Sequence, residues 1–196
     1  MTGFLAILIS LGAVSLPLLV LFGGARLMGR ASQRHLVLRA LAGSGADERD
    51  KAFLNQRWRG YSKADAHRHW SAIASDRDGA ALAAEKHFLK LDLILPVAYC
   101  AAMWGGLALL WHLLDRPFAY GWLVLPVVAT LFADWVENSI QLGQLAHFEP
   151  HDESSLDSRK IRFASAATSL KLLAFALTEV FIFVLGVLLS FCSPGA

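Results

Sequence analysis

Asp134, Glu137, Asn138 and Gln141 stand three and four residues apart, a spacing that puts them on one face of a helix. Two carboxylates and two carboxamides therefore line up just after an apolar run, Phe118 to Ala133. Residues of these types could hold a cation, a lipid head group or another small polar ligand. A carboxylate among them could also act as a base. Counting roughly 20 residues at 1.5 Å each across the hydrocarbon, Asp134 falls about 6 Å inside it, with Glu137 and Asn138 at its edge. Lys171 of the last apolar segment falls at the same depth, so an ion pair with Asp134 and Glu137 is expected. Asp92 and Tyr99 of another segment are also close in depth. The carboxylates of Asp92, Asp134 and Glu137 outnumber Lys171, which favours a ligand site over a closed ion pair.

Glu179 is the other unusual residue. It lies eleven residues in from Ser190, near mid-membrane, where an ionised group costs at least about 2.5 kcal/mol. It is expected to be protonated or hydrogen-bonded, with Thr130 at similar depth as the candidate partner. The histidines suggest no metal site. His67 and His69 are two apart and point to different sides of a helix. His147 and His151 have the right spacing, but Pro150 lies between them. No phosphate loop, nucleophile elbow or clustered cysteine motif is present, and no cofactor is expected.

The elements that must position these groups follow from hydropathy. Of the 196 residues, 56% are hydrophobic and 17% charged, against about 25% charged in soluble domains. Mean hydropathy is +0.47. Four runs hold the apolar excess: Gly3 to Ala25, Leu93 to Leu114, Phe118 to Ala133 and Leu172 to Cys192. A helix needs roughly 20 apolar residues to cross a bilayer, and the third run reaches that length only with the polar stretch after it. The first run has no basic residue before it and reads as a retained helix, not a secretory signal. Spans are thus expected at about 3–28, 92–114, 118–143 and 163–192. Thirteen of the 18 Lys and Arg residues lie between Arg26 and Lys90, and Arg159, Lys160 and Arg162 precede the last run. The positive-inside rule places 29–90 and 144–162 in the cytoplasm and both termini outside.

The 29–90 insertion carries its own helix signals. A short amphipathic segment, His35 to Leu41, stops at Gly43-Ser44-Gly45, and a helix is expected over Asp47 to Trp58. Ser62 and Asp65 form a capping box that opens a helix through Ile73. Asp76 to Gly79 is a turn, and a further helix runs from Ala80 into the second span. With few large apolar side chains in about 60 residues, the insertion reads as a cap of short helices without a core of its own. Ala98, Ala102 and Gly106 form one row of small residues, and Ala101 and Gly105 a second, which suits close helix approach in lipid. Cys100 and Cys192 fall at different depths and are not expected to pair.

Leu91-Asp92-Leu93-Ile94-Leu95-Pro96, Asp134-Trp135-Val136-Glu137-Asn138 and Lys171 together resemble a loose group of small uncharacterised bacterial membrane proteins. These carry an Asp at the start of one span, a D-x-x-E-N stretch in the next and a Lys in the last. The resemblance covers the last three spans. It implies a four-span protein of the bacterial inner membrane and no particular activity.

The expected fold is all-α, a four-helix transmembrane bundle with a short helical cytoplasmic cap between spans 1 and 2, in a single integral membrane domain. Three functions stay open. The leading one is a binding or permeation module in which Asp92, Tyr99, Asp134, Glu137, Asn138, Gln141 and Lys171 form the site. The others are a lipid-modifying enzyme with Asp134 or Glu137 as base, and a structural or assembly subunit. Expected partners are membrane lipids, and further copies of the chain or other membrane proteins. Nucleic acid is not expected, because no basic and aromatic stripe is present.

Overall fold

A computed structural model of the chain describes residues 3–44, 53–57, 59–76, 78–115 and 119–192. The fold is all-α. Its helices are α1 (Gly3–Ala31), α2 (His35–Gly43), α3 (Lys63–Ala74), α4 (Ala80–Leu91), α5 (Leu95–Leu113), α6 (Tyr120–Ala146) and α7 (Ser158–Cys192). Four helical stretches, Leu5–Ala31, Ala80–Leu113, Tyr120–Ala146 and Ser158–Phe191, are long and apolar enough to cross a membrane. The chain divides into two compact units. One holds Met1–Gly24, Leu95–Phe132 and Lys171–Ala196, and the other holds Ala25–Ile94 and Ala133–Leu170.

The first unit is a bundle of four apolar helices. On α5 the buried residues include Leu95, Tyr99, Met103, Leu107 and Leu110, a stripe at helical spacing. Helix α1 packs through small residues. A Cβ added at Gly106 would lie 3.3 Å from the carbonyl oxygen of Ala13, and one at Gly186 would lie 2.8 Å from the Cβ of Ser10. Ser10 Oγ donates to the carbonyls of Ala6 at 2.7 Å and Gly186 at 3.1 Å. Of the two small-residue rows, Gly106 is used against α1, whereas Ala101 and Gly105 are exposed. The outward faces are apolar: Leu11, Leu19, Phe22, Trp122, Phe183 and Phe191 are each more than half exposed. So much exposed apolar surface suits lipid and not water.

The second unit has a core of its own. Trp70, Leu41, Leu54, Ile73, Leu145, Leu156 and Ile161 are buried in one cluster, with Phe148 edge-on to Trp70 at 5.8 Å. Helices α2, α3 and α4 pack on one another. What the insertion lacks in large apolar residues comes from α6, the following linker and α7, through Leu145, Leu156 and Ile161. This also moves the helix ends. Helix α6 runs on to Ala146 and α7 starts at Ser158, so the loop expected over 144–162 is helical at both ends. Asp157 caps α7: its Oδ1 accepts from the backbone N–H of Lys160 at 3.2 Å and of Arg159 at 2.8 Å. Those bonds hold its carboxyl below the usual range.

Local signals in the insertion hold. Ser62 Oγ accepts from Asp65 N–H at 3.1 Å and Asp65 Oδ2 accepts from Ser62 N–H at 2.8 Å, the reciprocal capping box. Gly79 N–H closes a turn on the Asp76 carbonyl at 3.0 Å, with Gly79 at φ +64°. The helix expected over Asp47 to Trp58 falls largely on 45–52 and 58, outside the described residues. Over 53–57 there is instead a single 3-10 turn, Leu54–Gln56. The loop end at Arg116-Pro117 also lies outside the described residues.

Helix α4 does not run on into the second span. It stops at Leu91, residues 92–94 form a turn, and α5 begins at Leu95. Pro96 explains the break: it has no N–H to give the carbonyl of Asp92 four residues back, and it disfavours helical geometry at Leu95. The break leaves main-chain carbonyls to be satisfied by side chains, and this sets up the site.

Candidate binding site

Side chains of α6 reach those carbonyls. Trp135 Nε1 donates to the Leu93 carbonyl at 2.9 Å, and Asn138 Nδ2 donates to the Asp92 carbonyl at 3.0 Å. The face expected from spacing is real. Asp134, Glu137, Asn138 and Gln141 are all buried, with Glu137 and Asn138 at 0% exposure.

Asn138 is at the centre. Its Nδ2 also lies 3.3 Å from Asp92 Oδ2 and 3.2 Å from Asp134 Oδ1. Two amide hydrogens thus serve three oxygens. The other end of the amide, Oδ1, is buried and has no hydrogen-bond partner among the described residues. Asn55 repeats the arrangement: Nδ2 lies 3.5 Å from Asp92 Oδ2, and its buried Oδ1 has no partner among the described residues. One turn along α6, Gln141 Nε2 donates to Glu137 Oε1 and to the Tyr61 hydroxyl, both at 3.0 Å. Tyr61 is placed by its own backbone, whose N–H donates to Ser165 Oγ at 2.8 Å. Gly60, at φ +78°, allows this approach, since a Cβ there would lie 2.5 Å from Ser165 Oγ.

Another buried carboxylate, Glu85, belongs to the same unit. Its counter-ion is Arg34, whose Nε is 3.9 Å from Glu85 Oε2. The Arg34 guanidinium lies between two rings, with Cζ 3.4 Å from the centroids of both Phe53 and Phe88. Burial pushes its proton affinity below the ordinary value, against the opposing pull of Glu85 and then Asp92.

Of the expected site residues, Asp92, Asp134, Glu137, Asn138 and Gln141 share the second unit. Tyr99 and Lys171 belong to the first. Tyr99 is buried against Phe175, ring centroids 5.8 Å apart, and Lys171 is buried on α7. Glu179 is also in the first unit, and neither of its shielded oxygens has a hydrogen-bond partner among the described residues. Thr130 does not serve it: the hydroxyl donates to the carbonyl of Pro126 at 2.8 Å, one turn back on its own helix. Asn55, Tyr61, Arg34 and Glu85 were not anticipated. Glu85 had a signal, since it stands seven residues before Asp92, two turns of helix away.

The site is rich in acceptors. Its carboxylates and two carboxamide oxygens suit a ligand that brings positive charge or N–H groups. Among the described residues no three His, Cys, Asp or Glu side chains converge as a metal site, and His147 and His151 are exposed.

Four membrane-length apolar helices, outward apolar faces and a buried acid–amide cluster define a multi-pass α-helical membrane protein. Comparison with protein-family models, curated proteins and solved structures finds no match to this chain.

Proposed function

We propose that the chain is a binding module of the bacterial inner membrane that holds a small cationic group, either an inorganic cation or a lipid ammonium head group. The ligand sits on Asp92, Asp134 and the carboxamide oxygens of Asn55 and Asn138. Glu137 and Gln141 extend the site within the second unit. The observation that supports this reading most is Asn138 Oδ1: a fully buried acceptor without a partner among the described residues, beside carboxylates that its own amide orients. An unsatisfied buried oxygen costs about 1–3 kcal/mol, and a bound cation or N–H donor offsets that cost.

The test is native mass spectrometry of the detergent-purified protein, wild type beside Asp134→Asn and Glu137→Gln. An ion or lipid retained by wild type and reduced at least about tenfold in Asp134→Asn is expected, since a charged hydrogen-bonded contact is worth about 1.5–3 kcal/mol. Wild type without an adduct, and variants equal to it in oligomeric state and stability, would remove the reading. The basic residues of 26–90 and 159–162 support a cytoplasmic second unit with both termini outside. Labelling of a cysteine at exposed Ser154 by an impermeant reagent added outside intact cells would contradict that orientation.

A second reading, assembly with another membrane protein, has its own support. Ala101 and Gly105 line an apolar groove of about 430 Å³ beside Cys100, Trp104 and Val127, and small residues of this kind admit a partner helix closely.

A further inference from the structure

The second unit holds a cavity of about 560 Å³, lined by Ser44, His67, Arg68, His69, Ser71 and Ser75, with the Pro150 turn at its edge. That volume is in the range of small-molecule sites. At about 100° per residue, His67, Arg68, Ser71 and Ser75 share one face of α3, and the cavity extends far enough to meet His69 too. The two rings pack differently, His67 against Phe148 and the fully buried His69 against Phe53.

The chemistry of the lining is specific. Among the described residues no carboxylate lines it directly, and Asp65 meets it only through Arg68. Arg68 brings an exposed guanidinium, ion-paired through Nη2 with Asp65 Oδ1 at 2.6 Å. His67 is held edge-on to Phe148 at 5.5 Å, and its shielded Nε2 has no hydrogen-bond partner among the described residues. Ser71 and Ser75 each give their hydroxyl hydrogen to a main-chain carbonyl, Ser71 to Pro150 at 3.1 Å and Ser75 to Ala72 at 2.7 Å. Their oxygens are thus acceptors. The site offers positive charge and nitrogen donors for an anion, beside hydroxyl oxygens that accept from ligand O–H groups.

We propose that this cavity binds a phosphorylated polyol, with the phosphate on Arg68 and His67 and the polyol hydroxyls on Ser71 and Ser75. The source is either a free polyol phosphate or the head group of an anionic glycerophospholipid. This site is separate from the acid–amide cluster and does not depend on it.

Two measurements on the full chain test it. Calorimetry with glycerol 3-phosphate, inorganic phosphate and glycerol reads the free form. Native mass spectrometry from nanodiscs containing phosphatidylglycerol or phosphatidylcholine reads the lipid form. Binding of glycerol 3-phosphate, or selective retention of phosphatidylglycerol, is expected in wild type, and which of them binds identifies the source. Arg68→Gln should weaken binding about tenfold or more. Ser75→Ala, an exposed position outside the capping box, should weaken it severalfold without loss of fold. Asp134→Asn should leave it unchanged. Absence of both forms of binding in wild type, or affinities equal in wild type and both cavity variants, would overturn the site. Inorganic phosphate bound as tightly as glycerol 3-phosphate would overturn the polyol assignment.

Discussion

Arg34→Met is expected to destabilise the second unit by about 3–5 kcal/mol, and adding Glu85→Leu to recover most of that loss. The single substitution leaves the Glu85 carboxylate, 2% exposed, buried without its cation, and uncompensated buried charge carries a penalty of about that size. It also removes the stacking of the guanidinium on Phe53 and Phe88, worth roughly 0.5–2 kcal/mol per ring. The double substitution removes both charges and keeps apolar volume between the rings, which is often close to neutral. Arg34→Lys should rescue poorly, because an ammonium cannot fill a planar slot between two rings. The measurement is a double-mutant cycle from SDS or thermal unfolding followed by circular dichroism. An Arg34→Met protein within about 1 kcal/mol of wild type would show that the pair is dispensable.

The second large effect is expected at Trp70. It is fully buried in the cluster formed by Leu41, Leu54, Ile73, Leu145 and Ile161. Trp70→Ala should cost about 3–5 kcal/mol through lost burial and the cavity left behind. Trp70→Phe should cost far less, within about 1 kcal/mol of wild type. Its ring keeps much of the volume, and the substitution removes an indole N–H that is buried without a hydrogen-bond partner among the described residues. The same unfolding measurements separate the two. If Trp70→Phe is as damaging as Trp70→Ala, the stabilisation comes from the edge of the indole and not from the buried volume.

Both predictions concern a unit assembled from distant parts of the chain. The insertion supplies Arg34, Glu85 and Trp70. Residues after 133 supply Leu145, Leu156 and Ile161 to the core and Asp134, Glu137, Asn138 and Gln141 to the site. The acid–amide cluster and the core therefore share their supports, and a variant that loosens the core is expected to loosen the cluster. That coupling is why the binding test rests on Asp134→Asn and Glu137→Gln, which conserve shape, and not on truncations.

What the sequence determined by itself was local in origin. Helical hydrogen bonds join residues four apart, so the four apolar runs specified the long helices. The same periodicity put Asp134, Glu137, Asn138 and Gln141 on one face. The Ser62 and Asp65 capping box and the stop of α2 near Gly43 were legible for the same reason. Pro96 was visible too, but its consequence was not: a missing N–H opens the Asp92 carbonyl, and only the tertiary structure selects Asn138 to fill it. Asn55 reaches Asp92 across 37 positions, Gln141 reaches Tyr61 across 80, and Tyr61 reaches Ser165 across 104. No spacing rule spans such separations, because they depend on which apolar faces bury against one another. The ends of α6 and α7 were decided in the same way. Leu145 and Ile161 are buried in a shared core, and that burial extends both helices into the ends of a stretch that read as a polar loop.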